Sequence, residues 1–330
     1  MILAGDLLRR GPISCTGLLL IGDPHVSSRR PGRRRDPDWP APILAKLERC
    51  VAIANGRDLA PILLGDLFER PVEPDEGLKA RLVRVLKGFR HRPLANVGNH
   101  DAAHTTLAEG DSLGLLAVAD VIDVAAQSGP VAVYEIGGRR VGLGMTPYGQ
   151  AIPADVRGLL EADVVVWATH HDIAFGTAYP GAVRPFPIAG CGLAVNGHVH
   201  ALQKPVAAGG TRWFNPGNIT RQSVDLIDHV PAAWVLGGDL VLSAEPLPYR
   251  ADVFDLTGRL VEPADPALAA GLESAFVSLL RQESATDLAR SDDGTLLAEA
   301  AEAHFTRDDA PEPVRAAIRS LLAEAVARRG

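Results

Sequence analysis

An α/β fold is predicted for this chain, on three observations. Short apolar segments alternate with amphipathic helical stretches through about residue 200. Most of those apolar segments run straight into a small cluster of Asp, His or Asn. Apolar residues make up 47% of the 330, enough to bury a sizeable core rather than leave the chain disordered.

Taken in order, Gly17–Ile21 reads as a buried strand that ends at Gly22-Asp23. Residues 42–55 place Ile43, Leu44, Leu47 and Val51 on one face of a helix. Residues 61–64 form a second strand, ending at Gly65-Asp66. Residues 76–89 form a helix that turns Leu78, Leu82, Val85, Leu86 and Phe89 inward. A third strand at 94–97 runs into Gly98-Asn99-His100-Asp101. The segments 131–136 and 141–145, split by Gly137-Gly138, read as a hairpin. Strands at 164–168 and 193–195 end at His170-His171 and at Gly197-His198-Val199-His200. Strands near 212–214, 233–236 and 240–243 are expected to complete a second sheet. In open α/β sheets, ligands gather beyond the carboxyl ends of the strands, so the polar clusters should meet at one edge of the core.

The texture changes near residue 250, where Pro246 and Pro248 punctuate the chain. Two amphipathic helices are expected beyond it, at 267–280 and 313–328. The net charge of −7 lies wholly in residues 251–330, which hold 8 Lys and Arg against 15 Asp and Glu. The division expected is therefore residues 1–250 as a catalytic domain and 251–330 as a small helical accessory region. Three widely spaced cysteines suggest core thiols in a reducing compartment rather than a disulfide framework. The first ten residues lack the order of a secretion signal, and no apolar run is long enough to span a bilayer. A cytoplasmic protein with no membrane partner is the expectation.

The chemistry resides in five stretches: Asp23-Pro24-His25, Gly65-Asp66, Gly98-Asn99-His100-Asp101, His170-His171 and Gly197-His198-Val199-His200. Any one alone reads as turn chemistry or a stray histidine. Together they follow predicted strands and hold six of the ten histidines. Carboxylate, amide oxygen and imidazole without thiolate suit manganese, iron or zinc in an open catalytic site better than a structural cysteine–zinc site. A carboxylate shared by two cations can hold them roughly 3.5–4 Å apart and serve phosphoryl chemistry.

These motifs, in this order across residues 23–200, resemble those of the calcineurin-like metallophosphoesterases: D-x-H, G-D, G-N-H-D, a strand-terminal His and G-H-x-H. The resemblance implies a double β-sandwich flanked by helices and a dinuclear metal-dependent phosphoesterase. It implies that Asp23, His25 and His200 hold one cation, that Asn99, His198 and one of His170 and His171 hold the other, and that Asp66 bridges them. His170 is preferred because it comes first after its strand. Two divalent cations are implied, manganese first, with iron or zinc as alternatives. His100 would lie beside the substrate as acid or phosphoryl stabiliser, and Asp101 would orient it through a hydrogen bond.

The substrate must be read from other segments. Arg33, Arg34 and Arg35 follow His25 closely and could meet a polyanion. Asn215 to Gln222, which includes Arg221, resembles the segment after the last metal motif of the SbcD-like repair exonucleases. That likeness implies a DNA exonuclease or endonuclease, with DNA and an SMC-like ATPase as partners, and it leaves room for a homodimer. The competing readings are a small-molecule phosphodiesterase or phosphatase acting on nucleotides or cyclic nucleotides, and a non-catalytic scaffold. The scaffold is disfavoured because every expected ligand and His100 are present.

Overall fold

The structure is a computed structural model, and it describes residues 11–176 and 181–256 together with Leu8, Arg315 and Arg319. The chain divides into two compact units, Met1–Asp255 and Leu256–Gly330. The helix expected at 267–280 lies outside the described residues; of the one at 313–328 only Arg315 and Arg319 are described, both helical. No described helix is long and apolar enough to cross a membrane.

The first unit is α/β, built on two sheets. One contains β2 (Gly17–Ile21), β3 (Leu59–Leu63), β4 (Leu94–Asn96) and β5 (Asp123–Ala125), all parallel, with β12 (Ala232–Leu236) antiparallel beside β2 and β13 (Leu242–Pro246) antiparallel beside β12. The other runs β1 (Ile13–Ser14), β6 (Gly129–Ile136), β7 (Arg139–Thr146), β8 (Val164–His170), β9 (Leu193–Gly197), β11 (Thr211–Asn215) and β10 (Gln203–Ala208). The late strands therefore do not all complete the second sheet. β11 joins β9, whereas β12 and β13 extend the first sheet. Their partners lie about 20 to 215 residues away in sequence, a long-range choice that local pattern does not encode.

Three apolar layers hold this arrangement. Leu18, Leu20, Ile62 and Leu94 face Val141, Leu143, Val166 and Val195 between the sheets. Leu19, Ile21 and Leu63 point the other way, against helices α1 (Pro40–Arg57), α2 (Glu76–Leu86) and α3 (Ser112–Val118). Trp167, Ala194 and Trp213 form the third layer, where Val156, Ile173 and Ile188 pack over the second sheet. Among the described residues, helices therefore flank one sheet and irregular segments cover the other. Alternate residues of β2 entering different layers is the period-two consequence of a strand buried on both faces.

Local signals place the helix ends. Pro40 opens α1, where its missing N–H has no intrahelical partner to lose. Asp58 closes it in the left-handed region at φ 55° and ties Arg90 and His91 with its carboxylate. Asp75 caps α2, accepting a 2.9 Å hydrogen bond from Leu78 N. All three cysteines are free and buried.

Candidate metal centre

The carboxyl ends of strands from both sheets converge. β2, β3 and β4 deliver Asp23, Asp66 and Asn99 from one sheet; β8 and β9 deliver His170 and His198 from the other. Four of the residues that make the turns, Asp23, His25, Asp66 and His198, lie in the left-handed region at φ 34°, 48°, 47° and 75°. Non-glycine residues avoid that region and concentrate there at functional sites. Gly98 permits a close approach here: a Cβ on it would sit 2.0 Å from Asp66 Oδ1.

Asp23, His25 and His200 form one group whose donor atoms lie within 4.8 Å of one another; Asp66, His170 and His198 form a second. His25 Nε2 and His200 Nε2 are 3.0 Å apart. Asn99 Oδ1 lies 2.9 Å from His198 Nδ1 and 3.2 Å from His170 Nε2. Asp66 Oδ2 stands between the groups, 3.1 Å from His170 Nε2 and 3.7 Å from His25 Nε2. Its Oδ1 accepts a 2.8 Å hydrogen bond from His100 N, which fixes the carboxylate.

The far nitrogen of three of the four rings has a partner behind it. His25 Nδ1 lies 2.9 Å from Glu69 Oε2, His170 Nδ1–H donates to Leu64 O at 2.9 Å, and His198 Nε2 lies 3.1 Å from Asp172 Oδ1. Such partners set the tautomer and aim the other nitrogen, the arrangement typical behind metal-binding histidines. His171, by contrast, turns away and donates from Nε2 to Gln150 O at 2.8 Å. Of the adjacent pair the structure thus brings His170 to the cluster.

The charges are unusual for a protein interior. Burial opposes the charge on His25, but the hydrogen bond to Glu69 and the carboxylates of Glu69, Asp66 and Asp23 outweigh it and raise the ring to about 9. His170 goes up to about 10, since Asp66 and Asp23 more than offset its burial. Burial and the neighbouring His25 hold His200 well below the usual histidine range. Asp66 stays ionised: burial works against it, but His170 and then His25 and His100 hold its carboxyl low. Asp23 Oδ1 is buried and makes no hydrogen bond. Buried carboxylates and imidazoles crowded face to face, with Asp23 Oδ1 and Asp66 Oδ2 both lacking a hydrogen bond, form a donor set that suits divalent cations.

Two expectations need correction. Asp101 does not orient His100. Its carboxylate accepts from Phe68 N at 3.1 Å and Gly98 N at 3.0 Å, so it shapes the loop, while His100 Nδ1–H donates to Glu69 O at 2.8 Å. One donor, Gly98 N, is local and the other, Phe68 N, comes from the loop after β3, so the carboxylate ties the two loops together. Burial, then the Asp66 charge, raises Asp101 to about 7.

The second correction concerns the arginines. Arg34 is buried, paired with Asp36 at 2.7 Å, donating to Arg221 O, and stacked over Trp39 and Phe254. Arg221 is only 1% exposed, donates to Ile227 O and Arg250 O, and stacks over Tyr249. Neither presents its guanidinium to a polyanion. Arg35 is exposed beside Asp255 Oδ1 at 3.3 Å, and Arg33 donates to Asp255 O. The Asn215–Gln222 segment buttresses the centre instead: Asn215 Nδ2 donates to Val199 O, and Ile219 N to Gly22 O.

Glu69, Asp172 and Tyr148 are site residues that motif reading passes over. The first two lie three residues after Asp66 and two after His170; that spacing was their only signal. Tyr148, whose ring lies 5.5 Å from that of His198, carries none.

No family profile and no curated protein matches this chain. Solved structures align with 70% of it at low similarity. A novel archaeal phosphodiesterase aligns over its full length at 13% identity, TM-score 0.36. A 5'-nucleotidase precursor from Thermus thermophilus aligns over 54% of its length at 15% identity, TM-score 0.42. The NAD nucleotidase of Haemophilus influenzae aligns over 49% of its length at 10% identity, TM-score 0.40. The chain thus spans about half the length of those two nucleotidases. Likeness at this level carries no weight for function; the donor geometry does.

Proposed function

We propose that this chain is a phosphoric ester hydrolase of the calcineurin-like metallophosphoesterase type, acting on small organic phosphodiesters with two divalent cations. The observation that carries it is the placement of Asp66 Oδ2 between the Asp23/His25/His200 and Asp66/His170/His198 groups. Asp23, His25 and His200 would hold one cation; Asn99, His170 and His198 would hold the other; Asp66 would bridge. Manganese, iron and zinc all accept oxygen and nitrogen donors without sulfur, and manganese is the identity to test first. Bound there, the cations supply charge neutralisation at the phosphoryl group and an activated water.

The protein's own groups do the rest. With Nδ1–H committed to Glu69 O, His100 keeps Nε2 for the substrate, and as the imidazolium it can pass the Nε2 proton to the leaving oxygen, returning to the neutral Nδ1–H form. Its ring stands edge-on to His25 at 5.1 Å between centroids, which places it beside the cation groups. Glu69 serves two rings at once, His25 through its carboxylate and His100 through its carbonyl.

A small substrate fits better than a polynucleotide because Arg34 and Arg221 are committed to the frame. The SbcD-like nuclease reading keeps one support, the loop carrying Arg29, Arg33 and Arg35 shortly after His25, and DNA and an SMC-like ATPase partner stand or fall with it. Manganese-loaded protein should carry two equivalents of metal. It should hydrolyse bis(p-nitrophenyl) phosphate with a shallow salt dependence. A steep fall in linear-DNA cleavage with salt, without small-diester turnover, selects the nuclease. Failure to take up divalent ions ends both readings.

A further inference from the structure

Beside the cation groups lies a hollow of about 260 Å³ that the chemistry above does not use. One wall is the turn Pro147–Gln150, the other the segment from Ala102 to Leu107, and Asn99 stands at the junction with the metal centre. The floor is apolar, made by Val97, Leu107 and Ala126. The rim is polar, with His104, Thr105 and Thr106 exposed.

We propose that this hollow is the subsite for a planar, ring-bearing ester group of the substrate, of nucleobase class, with Tyr148 as its stacking platform. The inference rests on the phosphoesterase reading and names the substrate class of that site.

Three observations carry it. First, the Tyr148 ring forms a continuous aromatic wall with the centre: it lies 5.5 Å from His198 at 33° and 6.2 Å from His171 at 32°. A group stacked there would be esterified to a phosphate within reach of Asn99. Second, the turn that carries Tyr148 is anchored before any ligand arrives. Tyr148 N donates to Val97 O at 3.0 Å, His171 Nε2–H to Gln150 O at 2.8 Å, and Gln150 Nε2 to Ala126 O at 3.0 Å. A platform fixed in advance loses little entropy on binding. Third, Tyr148 is 37% exposed although its backbone is anchored to the core. An aromatic ring held half in water over an apolar floor offers one face to a flat partner.

Size narrows the class. Pockets that take whole drug-sized ligands usually measure about 300–1,000 Å³. At about 260 Å³ the hollow takes one ring system and excludes a base-paired duplex. His104, Thr105 and Thr106 supply the donors and acceptors that the edge of a heterocycle needs.

The test uses the manganese-loaded full chain and three monoester probes: methyl phosphate, ribose 5-phosphate and adenosine 5′-monophosphate. Dissociation constants are measured by calorimetric titration. Stacking of one base on one aromatic ring should make the adenosine ester bind at least about tenfold more tightly than the other two. Thr106→Trp, which fills the hollow, should erase that difference; Tyr148→Ala, a smaller perturbation, should erase most of it. If the adenosine ester binds no better than methyl phosphate, or ribose 5-phosphate binds as well as it does, the subsite is overturned and the metal chemistry stands. If a difference persists in both variants, the ring binds elsewhere and the subsite is again overturned. If none of the three binds, the subsite is overturned, and turnover of bis(p-nitrophenyl) phosphate by the same preparation decides separately whether the phosphoesterase reading falls with it.

Discussion

Asp172 Oδ1 lies 3.1 Å from His198 Nε2, so the carboxylate holds the imidazole from the side opposite Asn99. With Nε2–H engaged by Asp172, Nδ1 is left to face the cation group. Removing such a partner typically costs about 10–100-fold in metal affinity. Asp172→Ala should therefore weaken one of the two cation sites by that order while the other titrates as before. A metal titration that resolves the two steps checks this; equal weakening of both would contradict the division of ligands given above.

His100 and Asp66 separate binding from turnover. His100→Ala should retain both cations and lose about 10²–10⁴ in kcat, the range of a proton-transferring side chain. Asp66→Ala should lose the metals themselves. Elemental analysis beside initial rates distinguishes them, and equal metal loss in the two variants would contradict the roles assigned here.

Gly98→Ala should damage the centre without removing any donor. Its Cβ would lie 2.0 Å from Asp66 Oδ1 and 2.4 Å from Asp66 N, and both belong to a tightly packed turn. The carboxylate must move or the loop must open. We expect metal content to fall together with activity, although the far-ultraviolet spectrum remains that of the folded protein.

Arg34→Ala should act on stability. The guanidinium is buried against Trp39 and Phe254 and pairs with Asp36, itself buried. Leaving that carboxylate without its partner costs about 3–5 kcal/mol in comparable buried pairs. Urea denaturation of the Arg34→Ala protein, compared with Arg35→Ala, reads the difference, since Arg35 is exposed and its ion pair contributes about 1 kcal/mol or less.

Lys46 makes stability depend on pH in the alkaline range. Burial, then the neighbouring Arg34 and Arg221, lowers its ammonium to about 7. In the unfolded chain the group titrates near about 10.4. Between those values the unfolded state binds the extra proton, so stability rises as pH climbs from about 7 to about 10 and is flat with respect to this group below about 7. Lys46→Met should flatten that rise and raise the melting temperature at neutral pH. Thermal melts from mildly acid to alkaline pH give the answer; an unchanged profile would show that Lys46 keeps its ordinary affinity for protons.

The pattern of apolar runs was enough to mark β2, both long helices, the β6–β7 hairpin and the ends of β8 and β9, because buried strands and amphipathic helices write their period into adjacent residues. The same residue order marked the donors from Asp23 to His200, since donors that must meet follow the ends of strands. What only packing could decide was pairing and direction. β11 went to one sheet and β12 to the other, and α3 and β5 were missed because they are short and lack a clean period. His170 rather than His171 turns inward, as alternation along β8 sends consecutive side chains to opposite faces. Asp101 went to the backbone of Phe68 as well as Gly98, and Arg34 and Arg221 went into the interior. Those outcomes depend on neighbours brought from distant parts of the chain, and a side chain's partner is set by what lies within a few ångströms in space, which residue order does not state.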